Sequence, residues 1–113
     1  MVKFYFTKNY SKELERIEDF ILESTESIEL VEKFLDEQDQ TLEFISQNPK
    51  TPAIHPTTGD QSWVFSDGRY RLFFKVTHKD DDLEVFLLHI IDNREANLKV
   101  YPGNNLPTYY EEE

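Results

Sequence analysis

Residues 69–77 constrain the fold more than any other stretch of this chain. Tyr70, Leu72, Phe74 and Val76 alternate with Arg69, Arg71, Phe73, Lys75 and Thr77. A period of two places each set on its own face of a β-strand. One face is apolar and needs cover from a second layer. The other is basic and faces solvent or a ligand. Asp67-Gly68 tolerates the positive φ of a hairpin turn. Residues 62–66, with Trp63 and Phe65 on one side, read as the strand before that turn. Residues 83–91 follow a polar turn and are apolar on both faces, so they read as the central strand of an antiparallel meander.

The cover comes from the N-terminal half. Residues 2–6 are β-branched and aromatic and read as a strand. Tyr10, Leu14, Ile17 and Ile21 then recur at helical spacing, with Thr7 or Asn9 in position to cap them. Ser24 and Thr25 break the pattern and are placed to cap a second helix. Its stripe is Ile28, Val31, Leu35, Gln38, Leu42 and Ile45, widened by Leu30, Phe34 and Phe44. Asn48-Pro49 stops it, because the residue before proline avoids helical geometry. A short connection makes the two helices an antiparallel hairpin. The expected fold is α+β: an N-terminal strand, a helix hairpin, then an antiparallel β-meander, with the helices on one sheet face and the first strand at the edge of the meander. Pro49, Pro52 and Pro56 mark an extended loop. With 113 residues the expectation is a single domain, with a weak segment at 98–101 and a polar, acidic tail from about residue 102.

Charge is distributed unevenly. The chain carries a net charge of −11, and residues 11–47 alone hold twelve acidic against three basic side chains. Residues 68–79 reverse this, with Arg69, Arg71, Lys75 and Lys79 and no acid. Such acidity argues against nucleic-acid binding over the whole surface, since phosphates call for Lys and Arg, but leaves room for a local basic site. The absence of cysteine excludes disulfides, thiolate metal sites and thiol nucleophiles. No apolar run reaches the length of a membrane span. The N-terminal residues lack a signal-peptide pattern, so the expected compartment is the cytoplasm.

These residues resemble the RelE/ParE superfamily of toxins from bacterial type II toxin–antitoxin systems. Phe4-Tyr5-Phe6-Thr7 followed by Tyr10-Ser11-Lys12-Glu13-Leu14-Glu15-Arg16-Ile17 is similar to the family's first strand and helix. Residues 34–49, ending in Asn48-Pro49, are similar to its second helix. Gly68-Arg69-Tyr70-Arg71-Leu72-Phe73-Phe74-Lys75-Val76 resembles its most recognisable strand, and Leu87-Leu88-His89-Ile90-Ile91-Asp92-Asn93-Arg94 its last. The spacing is closer to the ParE branch. The resemblance implies a toxin silenced by a cognate antitoxin, as a homodimer or a hetero-oligomer with it, and requires no metal or other cofactor. It implies DNA gyrase as the target of a ParE-like member. The alternatives are cleavage of messenger RNA on the ribosome, as in RelE-like members, and a non-toxic binding module on the same fold.

On these grounds Arg69, Arg71, Phe73, Lys75 and Arg94 are the candidate binding residues. Arg71, Lys75, His89 and Arg94 are the candidate catalytic set if the chain is a nuclease. Histidine suits acid–base work at neutral pH. By strand parity His89 would share a face with Leu87 and Ile91, which also fits a buried, hydrogen-bonded side chain. His55 sits in the proline-rich loop and His78 in a charged turn, and three dispersed histidines do not make a metal-ligand spacing. Trp63 reads as core rather than as a stacking platform.

Overall fold

The computed structural model describes residues 2–93 and 111–112. Its elements run β1 (Val2–Phe6), α1 (Lys8–Thr25), α2 (Ile28–Gln47), β2 (Gln61–Phe65), β3 (Tyr70–Lys79), β4 (Asp82–Asp92) and β5 (Glu111–Glu112). The sheet order is β2-β3-β4-β1-β5. β2, β3 and β4 form the expected antiparallel meander. β1 joins it at β4, as a parallel neighbour. It is not left as an edge, because Tyr5 and Phe6 also pair with Glu112 and Glu111 of β5. That C-terminal strand was not legible in a run of glutamates.

Both helices lie on one face of the sheet. Tyr10, Ile17, Ile21, Phe34, Leu42 and Ile45 meet Phe65, Tyr70, Leu72, Phe74, Val85, Leu87 and Ile90 in one core. Each large apolar side chain buried there contributes about 1.5–3 kcal/mol. Trp63 also belongs to this side, stacked on Phe44 at 4.8 Å. Thr7 caps α1 by accepting a hydrogen bond from the Tyr10 amide at 3.2 Å. Asn48 ends α2, its amide donating to the Phe44 carbonyl.

The helix connection differs from expectation. Thr25 is the last residue of α1, where its hydroxyl donates to the Ile21 carbonyl. Glu26 turns the chain at φ 54°, and Ser27, not Ser24 or Thr25, caps α2 by accepting from the Leu30 amide. Ile28 and Leu30, assigned above to the buried stripe, are exposed. The buried stripe of α1 ends at Ile21 and that of α2 begins at Phe34, with Val31 only partly covered. The end of the hairpin therefore runs past the cover that the sheet provides.

One polar contact fixes how the two helices meet. The fully buried Tyr10 hydroxyl donates to the side-chain carbonyl of Gln38 at 2.5 Å. Burial, followed by Asp39 and Glu13, pushes the Tyr10 phenol far above its ordinary pKa, so it stays a donor. Tyr10→Phe would leave the buried Gln38 carbonyl without this donor. The expected loss is about 1–2 kcal/mol in chemical denaturation with an unchanged denaturant slope; an unchanged midpoint would show that the contact contributes nothing.

Candidate interaction site on the second sheet face

The face turned away from the helices is set by the register of β3 and β4. From Tyr70 to Phe73 the pairing runs Tyr70↔Asp92 to Phe73↔His89, and it resumes at Phe74↔Leu87. Leu88 is the extra residue, a β-bulge in β4. A bulge shifts side-chain parity by one on the strand that carries it. Leu87 and Ile90 thus both point to the helix core, while His89 and Ile91 join Arg71, Phe73 and Lys75 on the second face. The expectation that His89 shares a face with Leu87 is corrected on this ground; it does share one with Ile91.

The bulge is held by the start of α1. β1 pairs with β4 only as far as Leu87, so the β4 backbone beyond it needs other partners. The Thr7 amide donates to the Leu87 carbonyl at 3.1 Å, and its hydroxyl to the Leu88 carbonyl at 3.3 Å. Glu13 takes the next position. Its Oε1 accepts from the Ile90 amide at 3.3 Å and forms a short hydrogen bond with Nδ1 of His89. His89 is 4% exposed, the buried and hydrogen-bonded histidine that the sequence allowed.

The proline-rich loop closes over the middle of this face. Ile54 bridges to Gln61, and the Ser62 amide donates to the Ala53 carbonyl. His55 then lies edge-on against Phe73 at 5.2 Å, with His89 on Phe73 at 6.3 Å. Phe73, His89 and Ile91 are buried, so the centre of the face does not meet solvent as expected. Lys75 is exposed and Arg71 half-buried, its Nη1 donating to Ser62 Oγ at 2.6 Å. Beside Arg71, a cleft of about 340 Å³ is lined by Ala53, Ile54, His55, Ser62, Val64 and Arg71 among others. Asp60, from the same loop, has a pKa raised by burial, which the nearby Lys75 and His89 only partly offset.

Arg69 is not part of this site. It lies in the turn, where its amide donates to the Ser66 carbonyl, and its guanidinium sits 5.2 Å from the Tyr70 ring centroid. It lines a separate cleft on the helix side with Phe20, Leu30, Lys33 and Glu37. The reason is the turn itself. Ser66, Asp67 and Gly68 all take positive φ, so four residues separate the paired strands and the alternation begins only at Tyr70. Arg94 lies outside the described residues. Glu13 and Asp60 were missed from sequence; Glu13 is one acid among many on α1, and only the bulge brings it to His89.

The second face thus presents Arg71 and Lys75 to solvent, with the exposed Ile54 and Val64 lining the cleft beside Arg71 and Phe73 and the carboxylate-held His89 buried beneath, an arrangement suited to an acidic, partly apolar partner. A comparison with known families decides the wider setting: residues 4–97 match the profile of the ParE toxin of type II toxin–antitoxin systems, parDE. The chain belongs to that family. It is by that membership the toxin component of a type II toxin–antitoxin system, with an antitoxin as its implied partner. No curated protein and no solved structure gives a significant match. Among the described residues of this ParE-family toxin, no helix is long and apolar enough to cross a membrane.

Two outcomes test the site. Glu13→Ala removes the acceptor for both the Ile90 amide and His89, and should cost about 1–3 kcal/mol of stability while broadening or shifting the His89 imidazole resonances in NMR spectra. Unchanged stability and resonances would show that Glu13 does not hold the bulge. Asp60 provides a pH test. Because its folded pKa lies above the ordinary 3.8, its contribution is fully present below that value and is lost as pH rises through the folded pKa. Asp60→Asn should therefore raise Tm at pH 7 and converge on the parent below about pH 4. A difference that stays constant with pH would contradict this.

Proposed function

We propose that this toxin inhibits DNA gyrase and is neutralised by a cognate antitoxin whose acidic, partly apolar segment binds the second sheet face. The observation that carries the reading is the match to the ParE toxin family over residues 4–97. In the resemblance drawn from the sequence, ParE-like members act on gyrase, whereas RelE-like members cleave messenger RNA. The antitoxin part is supported by Arg71 and Lys75 on either side of Phe73. A bound carboxylate pairs well with a guanidinium, and an extended segment can add its main chain to the outer side of β2 beyond Ser62, where the pairing with Ala53 and Ile54 ends. The cytoplasm is the compartment in which both partners would be met.

A second reading rests on one observation, the hydrogen bond between His89 and Glu13 on the face that carries Arg71 and Lys75. A carboxylate that orients an imidazole beside phosphate-binding cations is a plan for acid–base cleavage of RNA. His89, buried here beneath Phe73 and the proline-rich loop, would have to be uncovered to move the proton, and Arg71 and Lys75 would stabilise charge on the phosphate.

The direct test is plasmid supercoiling by purified gyrase with the folded toxin added. Inhibition that an antitoxin relieves, and that Arg71→Glu with Lys75→Glu renders insensitive to that antitoxin, is expected. Untouched supercoiling, together with ribosome-dependent cleavage abolished in Arg71→Ala with Lys75→Ala, would replace gyrase by the second reading.

A further inference from the structure

The outward face of α1 is charged in an order that its own helix does not favour. Lys12, Arg16, Asp19 and Glu23 recur at spacings of 4, 3 and 4, on the side opposite the buried Tyr10, Ile17 and Ile21. All four are exposed. With Glu15 and the 51% exposed Phe20 they line a shallow depression of about 420 Å³. The stripe is split by sign. Both cations lie toward the N-terminus, with Lys8 one turn before them, and both acids lie toward the C-terminus. The helix dipole favours the reverse, acids in the first turn and cations in the last, and α1 has neither. Like charges also stand one turn apart, Lys12 by Arg16 and Asp19 by Glu23, which weakens an isolated helix. Arg16 and Asp19 attract one another, but with the cation leading, the poorer order along a helix.

A face that is basic at one end and acidic at the other is complementary to itself when turned end for end. We infer that α1 docks antiparallel on α1 of a second copy of this chain, about a two-fold axis that passes between Arg16 and Asp19. Lys12 then faces Glu23 of the other copy, Arg16 faces its Asp19, and the symmetry repeats both pairs. Phe20 comes beside the other copy's Arg16, whose guanidinium can lie on the ring. The antiparallel arrangement also sets the positive end of each helix dipole beside the negative end of the other. Exposed ion pairs contribute little singly, so the association depends on concentration and weakens with salt. The stripe points away from the sheet, so both second sheet faces stay open on the far sides of the pair. A dimer joined in this way offers two such faces at once, which a bivalent partner binds far more tightly than one.

The experiment is sedimentation equilibrium of the full chain, free of antitoxin, over a range of concentrations at low and physiological salt. One variant makes the stripe wholly acidic (Lys12→Glu, Arg16→Glu). A second makes it wholly basic (Asp19→Lys, Glu23→Lys). A third carries all four changes, which exchanges the two ends. A control makes the second variant's charge change on α2 (Asp36→Lys, Glu43→Lys). All six positions are exposed, and thermal melts check that each variant folds. The parent should form dimers that higher salt weakens, and the control should match it. The wholly acidic and wholly basic variants should each associate roughly tenfold more weakly, while their mixture and the four-change variant recover the parent's affinity. The wholly basic variant carries less net negative charge than the parent, so general repulsion alone would strengthen its association. A parent that stays monomeric up to millimolar concentrations overturns the inference. So does a wholly acidic or wholly basic variant that dimerises as well as the parent, a mixture of the two that stays monomeric, or a control that weakens as much as they do.

Discussion

The carboxylate of Glu13 holds the edge of β4 where β1 has stopped pairing with it. Its contacts to the Ile90 amide and to His89, with those of Thr7 to Leu87 and Leu88, keep one extra residue in the strand. That residue, Leu88, lets Leu87 and Ile90 both enter the helix-side core, which an unbroken strand would forbid. It also places His89 opposite Phe73, between Arg71 and Lys75 in the order of the strand. The composition of the second face therefore depends on a contact made from a helix on the opposite side.

The same dependence marks what could be read from sequence. The β3 alternation is strict, so Tyr70, Leu72 and Phe74 on one face and Arg71, Phe73 and Lys75 on the other followed from period alone. The helix stripes through Tyr10, Ile17, Ile21, Leu42 and Ile45 were equally plain, because each buries against a whole sheet face. What failed depended on long-range partners or on local backbone choices with several near-equal solutions. Ser24, Thr25 and Ser27 can all cap a helix, and only the positive φ at Glu26 selects the last. Arg69 continues the alternation on paper, but the four-residue turn removes it from the strand. The bulge at Leu88 has no local signature, so the parity of His89 came out wrong relative to Leu87 and right relative to Ile91. Glu13 and Asp60 could not be singled out, since their roles come from contacts with residues far along the chain.

Charge is distributed unevenly over the fold. The helix hairpin carries twelve of the chain's 23 acids against Lys8, Lys12, Arg16 and Lys33, while β3 carries Arg71 and Lys75 on the sheet face opposite. Self-repulsion on the hairpin opposes folding, as at Glu18, whose pKa is raised first by burial and then by the neighbouring Asp19 and Glu15. The fold tolerates it because the core beneath is aromatic and continuous from Phe34 through Tyr70 and Phe65.

Central to this account is that the chain is a toxin restrained by an antitoxin. The most direct measurement is bacterial growth under tightly controlled induction of this chain alone, with soluble protein confirmed on a gel. The account predicts growth arrest, relieved when an antitoxin that binds the chain is expressed with it. Normal growth with abundant soluble protein, in a host whose gyrase binds the chain, would contradict it.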